Sequence, residues 1–186
     1  AFAGMSAIGV LNLATRPPQG ALDRTVLQRC LDDIVRRHEV LRTTLVAVDG
    51  EPTQVVHPPA AVPLTVLDLS DVPRAEREAT AERHVHEEAE RPFDLGRGPL
   101  FRVSLIRFTS EDHLLLLLMH HAVTDGRSLG ILADELETLY QAFSSGQPSP
   151  LPELPVQYAD FAQWQRQQFG GAEMDAPDTW RFSIDV

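Results

Sequence analysis

The sequence contains few of the residues that mark secreted, disulfide-stabilised or membrane-spanning proteins. It has one cysteine among 186 residues, which excludes an internal disulfide and is typical of a reducing compartment. No apolar run approaches the length of about 20 residues that a transmembrane helix needs, and no charged segment followed by an apolar one resembles a leader. We therefore expect a cytoplasmic protein with no membrane partner. Because the first residue is Ala1 rather than methionine, we also expect a trimmed or excised chain.

Basic residues are scarce relative to acidic ones. Lys and Arg number 16 against 27 Asp and Glu, which gives a formal net charge of −11. Affinity for nucleic acid depends on neutralising backbone phosphates with basic side chains, so this balance argues against a nucleic-acid partner. Hydrophobic residues make up 43% of the chain, which is enough to bury a core as one domain.

The clearest pattern is a strand followed closely by a helix. Leu114–Leu118 is an unbroken leucine run, apolar on both faces of a strand, which is typical of a strand in the interior of a sheet. An amphipathic helix begins almost at once after it, with apolar residues on one helical face: Leu129, Leu132, Ala133, Leu136, Leu139, Tyr140 and Phe143. The histidine pair His120 and His121 therefore lies where the strand ends.

These two histidines are the first candidates for chemistry. Neighbouring side chains in an extended strand point to opposite faces, so we expect one chemical and one structural histidine. Imidazole titrates nearest physiological pH and is suited to giving, taking or holding a proton. Asp125 could fix the loop or an imidazole tautomer. Taken alone, these residues leave open that both histidines are structural.

The surrounding residues favour the chemical interpretation. His120-His121-x-x-x-Asp125-Gly126 resembles the HHxxxDG signature of condensation domains of nonribosomal peptide synthetases. Further stretches resemble the same family's blocks in the same order: Arg37–Leu45 its RHExLRT block, Pro92–Leu95 and Gly98–Arg102 its pFdL and gPLfR segment, and Tyr158–Trp164 its YxDFAxW block. Several blocks in order are far more specific than one heptapeptide.

The resemblance covers about residues 8–168, which correspond to the first half of such a domain. We therefore predict the N-terminal lobe of a condensation domain at residues 1–168. Residues 169–186 are predicted to be a tail or the start of the connection to an absent second lobe. The resemblance implies an α/β fold like that of chloramphenicol acetyltransferase, with a mixed, mostly antiparallel sheet packed with helices.

The resemblance also implies an activity and its partners. In this family the amine of an acceptor aminoacyl thioester attacks the carbonyl of a donor acyl thioester. Both substrates are carried on phosphopantetheine arms of carrier domains, so we expect donor and acceptor carriers as partners and no cofactor or metal bound by this chain. The missing C-terminal lobe is a further expected partner, because a single lobe has half of the active-site tunnel and should be inactive alone.

Site residues are carried over motif by motif. By resemblance, His121 faces the tunnel and belongs with His120 and Gly126 to the catalytic set, with the Gly126 amide as a possible oxyanion donor. An α-amine has a pKa of roughly 7.7–8.0, so orienting the amine or stabilising the tetrahedral intermediate is as plausible a role for His121 as full deprotonation. By the same resemblance Asp125 forms a structural ion pair, and the sequence does not choose between Arg37 and Arg42 as its partner.

The remaining pattern predicts the surrounding elements. Cys30 falls on the buried stripe of a helix, where a reactive thiolate is not expected. Strands are expected at 8–13, 64–67 and 101–108, and a hairpin at 41–56 around Asp49-Gly50. Helices are expected at 23–37, 71–90 and 158–168, with a linker at 144–155. The helix at 71–90 should have a largely solvated surface, and the helix at 158–168 should pack Phe161 and Trp164.

Other chemistries fit the residues less well. Gly126-x-Ser128-x-Gly130 matches the nucleophile elbow of serine hydrolases, but Ser128 would already lie inside the helix and no histidine follows it. His84 and His86 on a helix diverge, so a solvated face is expected in place of a metal site. Within the superfamily, a noncatalytic interaction module and a free-standing acyltransferase remain alternatives. An epimerisation domain usually has Trp where this chain has Leu129, and cyclisation domains replace the histidine pair, so both are disfavoured.

Overall fold

The computed structural model describes residues 6–14 and 22–169. The strands are β1 (Ser6–Ala14), β2 (Thr43–Val48), β3 (Glu51–Val56), β4 (Leu64–Asp68), β5 (Phe101–Arg107) and β6 (Asp112–His120). The helices are α1 (Arg24–Arg37), α2 (Arg74–Glu90), α3 (Gly126–Ser144) and α4 (Tyr158–Phe169), with a 3-10 turn at Glu39–Arg42. This order confirms the predicted mixed α/β fold.

The central sheet has the strand order β1-β6-β5-β4. β6 pairs antiparallel with β1 on one side and with β5 on the other, while β4 runs parallel to β5. Leu115–Met119 are all buried, so the leucine run forms the interior strand that its composition predicts. Because β6 is bonded on both sides up to His120, the position of that residue is fixed by the sheet.

Helices cover both faces of the sheet. Side chains on one face of β5 and β6, such as Leu105 and Leu117, pack with α1 and α3 in the main core. The alternate residue Ile106 packs with Ala81 of α2 in a smaller core on the opposite face. Ala81 is the one buried residue that α2 contributes, which confirms the expected, largely solvated surface of this helix. His84 is an exception: it is half-buried, and its Nε2 lies 2.8 Å from the Ser104 hydroxyl of β5. None of the described helices is both long and apolar enough to cross a bilayer.

The hairpin and the last helix differ in detail from the prediction. β2 and β3 form a separate two-stranded sheet, and Asp49 and Gly50 both have positive φ at their turn, as the Asp-Gly pair predicts. In α4, however, Phe161 is 45% and Trp164 52% exposed, so the prediction that they pack is wrong within the described residues. The reason is that α4 meets the rest of the described fold near its start, where the Gln157 side chain donates to the Arg37 carbonyl and accepts from the Glu39 amide.

Cys30 should be almost unreactive in the folded chain. Its side chain is fully buried in α1, and burial raises the pKa of the thiol to about 12. Since the thiolate is the reactive form, we expect negligible reaction with Ellman's reagent at pH 8 in buffer and complete reaction in denaturant. As the chain has one cysteine, the absorbance reports this thiol alone, and rapid labelling of the folded chain would contradict the burial.

Candidate active site at the junction of β6 and α3

The candidate site lies in the loop between the end of β6 at His120 and the start of α3 at Gly126. A capping box starts α3: the Asp125 carboxylate accepts from the backbone amides of Arg127 and Ser128. The turn 121–124 is thus held between a central strand and a capped helix.

His120 is buried, at 6% exposure. Its Nδ1 accepts a hydrogen bond from the Ala122 amide at 3.0 Å, and its carbonyl accepts one from Val123. An accepting Nδ1 places the proton of the neutral ring on Nε2, which is buried and has no hydrogen-bond partner among the described residues. The Phe93 ring lies edge-on to the imidazole, with centroids 6.1 Å apart. His120 is therefore built into the loop as a structural group.

His121 lies beyond the strand and is exposed. No hydrogen bond joins its imidazole to any other residue in the part of the chain that the structure describes. A histidine without partners on the protein surface is available to a substrate or to another domain. The two histidines thus occupy different environments: His120 is buried at the end of β6, and His121 is exposed in the turn that follows.

Asp125 does not form the expected ion pair with Arg37 or Arg42 in the described structure. Its Oδ1 is occupied by the two amides and by the Ser128 hydroxyl, which donates at 2.7 Å. Arg37 pairs instead with Glu135 at 3.0 Å, and Arg42 with Glu39 at 3.2 Å and with the His57 carbonyl. The expected pair does not form because the Asp125 carboxylate caps its own helix and each arginine has another carboxylate within reach.

The Asp125 cap should make stability depend on pH in acid. The hydrogen bond from the Ser128 side chain, followed by those from backbone amides, lowers the pKa of Asp125 below its usual 3.8. A lowered pKa stabilises the fold above the unfolded-state pKa, and this contribution is lost as pH falls through the lower folded-state value. We expect the difference in urea midpoint between wild type and Asp125→Asn, which keeps a capping side chain, to be constant from pH 7 to about 5. The difference should shrink below pH 4, and one that is unchanged down to pH 2.5 would contradict this.

Gly126 and Ser128 complete the loop in different ways. A side chain at Gly126 would meet no described atom within 4 Å, and the backbone amide of Gly126 has no acceptor among the described residues. Ser128 accepts from the Asp125 amide and donates to its carboxylate. Its hydroxyl is part of the capping box and no described imidazole bonds to it, which gives no support to a serine nucleophile.

The sequence did not predict a buried charged cluster around Glu135. Glu135 of α3 binds Arg37 and also His38, whose Nε2 lies 2.6 Å from the second carboxylate oxygen. The sequence feature that could have revealed this cluster is a carboxylate on the same helix face as the buried residues Leu132, Leu136 and Leu139. A charge on a buried face requires a partner. No group of three or more metal-binding side chains occurs among the described residues.

Comparison with known proteins decides the family. The model of the family described as "Condensation domain" matches residues 16–179. The chain belongs to the condensation domain family. Over 150 residues the chain is 48% identical to chondramide synthase cmdD from Chondromyces crocatus, an alignment that covers 81% of this chain and 4% of the synthase. The resemblance in the four sequence blocks is thereby confirmed.

Solved structures give the same fold. The SgcC5 protein from Streptomyces globisporus, solved with a naphthyl ethanediol and sucrose, has 34% identity and a TM-score of 0.73, covering 88% of this chain and 36% of that one. An X-domain from teicoplanin biosynthesis, solved in complex with OxyB, has 27% identity and a TM-score of 0.76, covering 88% and 33%. The predicted chloramphenicol-acetyltransferase-like fold of condensation domains is confirmed, and the chain spans about a third of each solved relative.

Proposed function

We propose that this chain supplies the histidine-bearing half of a peptide-bond-forming site. The amine of a carrier-bound acceptor attacks the carbonyl carbon of a carrier-bound donor thioester. A C–N bond forms and the C–S bond breaks; the nitrogen loses one proton, and the released thiolate takes one up. The observation that carries this proposal is the exposed imidazole of His121, which has no hydrogen-bond partner among the described residues, beside the buried, anchored His120.

The environment of His121 supports a positioning and electrostatic role. An α-amine with a pKa of roughly 7.7–8.0 is substantially neutral at cellular pH, so an imidazole that accepts a hydrogen bond from it can orient the lone pair toward the donor carbonyl. The N-terminal end of α3 carries the positive end of the helix dipole. Because the Asp125 carboxylate already caps that end, the Gly126 amide is the group proposed to donate to the negative oxygen of the tetrahedral intermediate.

The lobe is proposed to need a second lobe for activity. His121 and Gly126 are exposed, and a side chain at Gly126 would meet no described atom within 4 Å. The described residues therefore form no second wall that could hold two tethered substrates in line. Much of the rate gain in a two-substrate reaction comes from such alignment, worth up to about 7–11 kcal/mol. The expected partners are donor and acceptor carriers with their phosphopantetheine arms.

A noncatalytic recruitment module is the second candidate. The similarity to an X-domain solved in complex with OxyB favours it, because a protein of this fold can bind another protein. The intact His120-His121-x-x-x-Asp125-Gly126 motif favours the catalytic proposal over recruitment.

Intact-protein mass spectrometry of the acceptor carrier distinguishes these functions. The lobe, joined to a matching second lobe, is incubated with a loaded donor carrier and an acceptor carrier that bears either an amine or the corresponding alcohol. We expect the acceptor to gain the donor acyl mass with the amine and not with the alcohol. Transfer to the alcohol alone would indicate an acyltransferase of other specificity, and binding of carriers without transfer to either would indicate a recruitment module.

A further inference from the structure

The segment Pro92–Arg102 contacts the site although it contributes no reacting group. Arg102 of β5 lies opposite Leu118 of β6, so it shares a sheet face with His120, two residues further along, as a diagonal neighbour. The Phe93 ring packs against both side chains. Its centroid lies 3.9 Å from the Arg102 guanidinium carbon and 6.1 Å from the imidazole centroid of His120.

Arg102 fixes the chain that carries Phe93. Its two terminal nitrogens donate to three backbone carbonyls, those of Glu88 at 3.0 Å, Arg91 at 2.7 Å and Pro92 at 3.2 Å. These carbonyls lie at and just after the end of α2, whose last turn has no basic residue of its own, so the guanidinium also meets the negative end of this helix dipole. An arginine fork can reach three carbonyls at once, whereas a lysine ammonium is a single point.

Phe93 in turn limits the motion of the His120 ring. The two rings are nearly perpendicular, at 79°, which is a preferred geometry for aromatic pairs. The His120 imidazole then holds the Ala122 amide at 3.0 Å. Because that amide belongs to the peptide that follows His121, its hydrogen bond fixes the plane of the backbone on the C-terminal side of the exposed imidazole.

We propose that Arg102 and Phe93 form a positioning pair, which orders the His120–Ala122 turn and so sets the direction of the His121 imidazole. The proposal rests on the function proposed above for His121. It gives a physical role to the Pro92–Arg102 block: Arg102 fixes Phe93, Phe93 fixes His120, and His120 fixes the turn. Neither residue touches a substrate in this scheme.

The first test uses NMR to measure the His120 tautomer and the exchange rate of the Ala122 amide in this chain, without catalysis. In wild type the His120 ring nitrogens should report the Nε2-protonated form, and the Ala122 amide should exchange slowly. In Phe93→Leu and in the milder Arg102→Lys, we expect mixed tautomers and Ala122 exchange at least about tenfold faster. Arg107→Lys is the matched control, since Arg107 lies on the same strand and pairs with exposed Asp68 at 3.0 Å. Unchanged tautomers and exchange in both variants would overturn the proposal.

The second test measures turnover in the lobe joined to its second lobe. We expect Phe93→Leu to lower kcat by about tenfold or more with KM for the carriers unchanged, since small misplacements of a catalytic group are costly. In a His121→Ala background the same change should have no further effect, because the group it positions is gone. An equal loss in both backgrounds would overturn the proposal. Full turnover of His121→Ala itself would overturn the proposed function, and the NMR result would then decide the role of the pair in the turn.

Discussion

Replacing His121 with alanine is expected to lower the rate of acyl transfer by about 10²–10⁴-fold, the range that a positioned acid, base or hydrogen-bonding group supplies. The free energy of unfolding should stay within about 0.5 kcal/mol of wild type. Both expectations follow from the same observation: the His121 imidazole is exposed and has no partner in the part of the chain that the structure describes, so it is free to act on a bound substrate and contributes little to the fold. Single-turnover kinetics with preloaded carriers and urea unfolding measure the two quantities.

The matched control is His86→Ala on α2. His86 is also exposed, and its one partner among the described residues is the equally exposed Glu90, at 3.2 Å. Its removal should leave both transfer rate and stability unchanged. A His121→Ala variant that retains more than about a tenth of the rate, or a His86→Ala variant with the same loss, would contradict the assignment of His121.

Replacing Glu135 with alanine is expected to destabilise the fold by about 3–5 kcal/mol, because it removes the carboxylate that compensates the buried charge of Arg37. The Glu135 and Arg37 side chains are 11% and 7% exposed, and their atoms approach to 3.0 Å. The Arg37 guanidinium also donates to the Pro152 carbonyl, so the loss should loosen the linker that precedes α4. Thermal unfolding should show a decrease in Tm of roughly 6–20 °C for a chain of this size.

Glu153→Ala provides the comparison for this cluster. Glu153 pairs with Arg36, the neighbour of Arg37, at 2.9 Å, but its side chain is 72% exposed. Solvent and salt screen such a pair, so its removal should cost at most about 1 kcal/mol. Equal losses of stability for Glu135→Ala and Glu153→Ala would show that burial does not determine the strength of the Arg37 cluster.

The elements that local periodicity controls were predictable from the sequence. The leucine run gave β6 as an interior strand, and the apolar spacing after it gave α3, because both depend on residues close together in the chain. The helix at α1 began within a residue of its predicted start, where Asp23 caps it through the amides of Thr25 and Val26. These local signals are sufficient to predict the histidine pair at the end of a strand.

Pairings between distant residues were not predictable in the same way. Arg37 and Glu135 lie 98 positions apart, and no local spacing distinguishes this partner from Asp125. The Asp125 carboxylate could either pair with a distant arginine or cap its own helix. Capping needs only residues next to it in the chain, so no distant group has to be brought to it. The exposed Phe161 and Trp164 show the same limit, since an apolar helix face predicts that something covers it and not which element does.

The proposal that this chain supplies one half of the active site is tested most directly by measuring acyl transfer with and without a second lobe. Loaded donor and acceptor carriers are incubated with this chain alone, with a matching second lobe alone, and with both, and the acceptor carrier is weighed by intact-protein mass spectrometry. We expect the donor acyl mass to appear on the acceptor only when both lobes are present. Transfer by this chain alone at the rate of the pair, or no transfer by two lobes that bind each other, would contradict it.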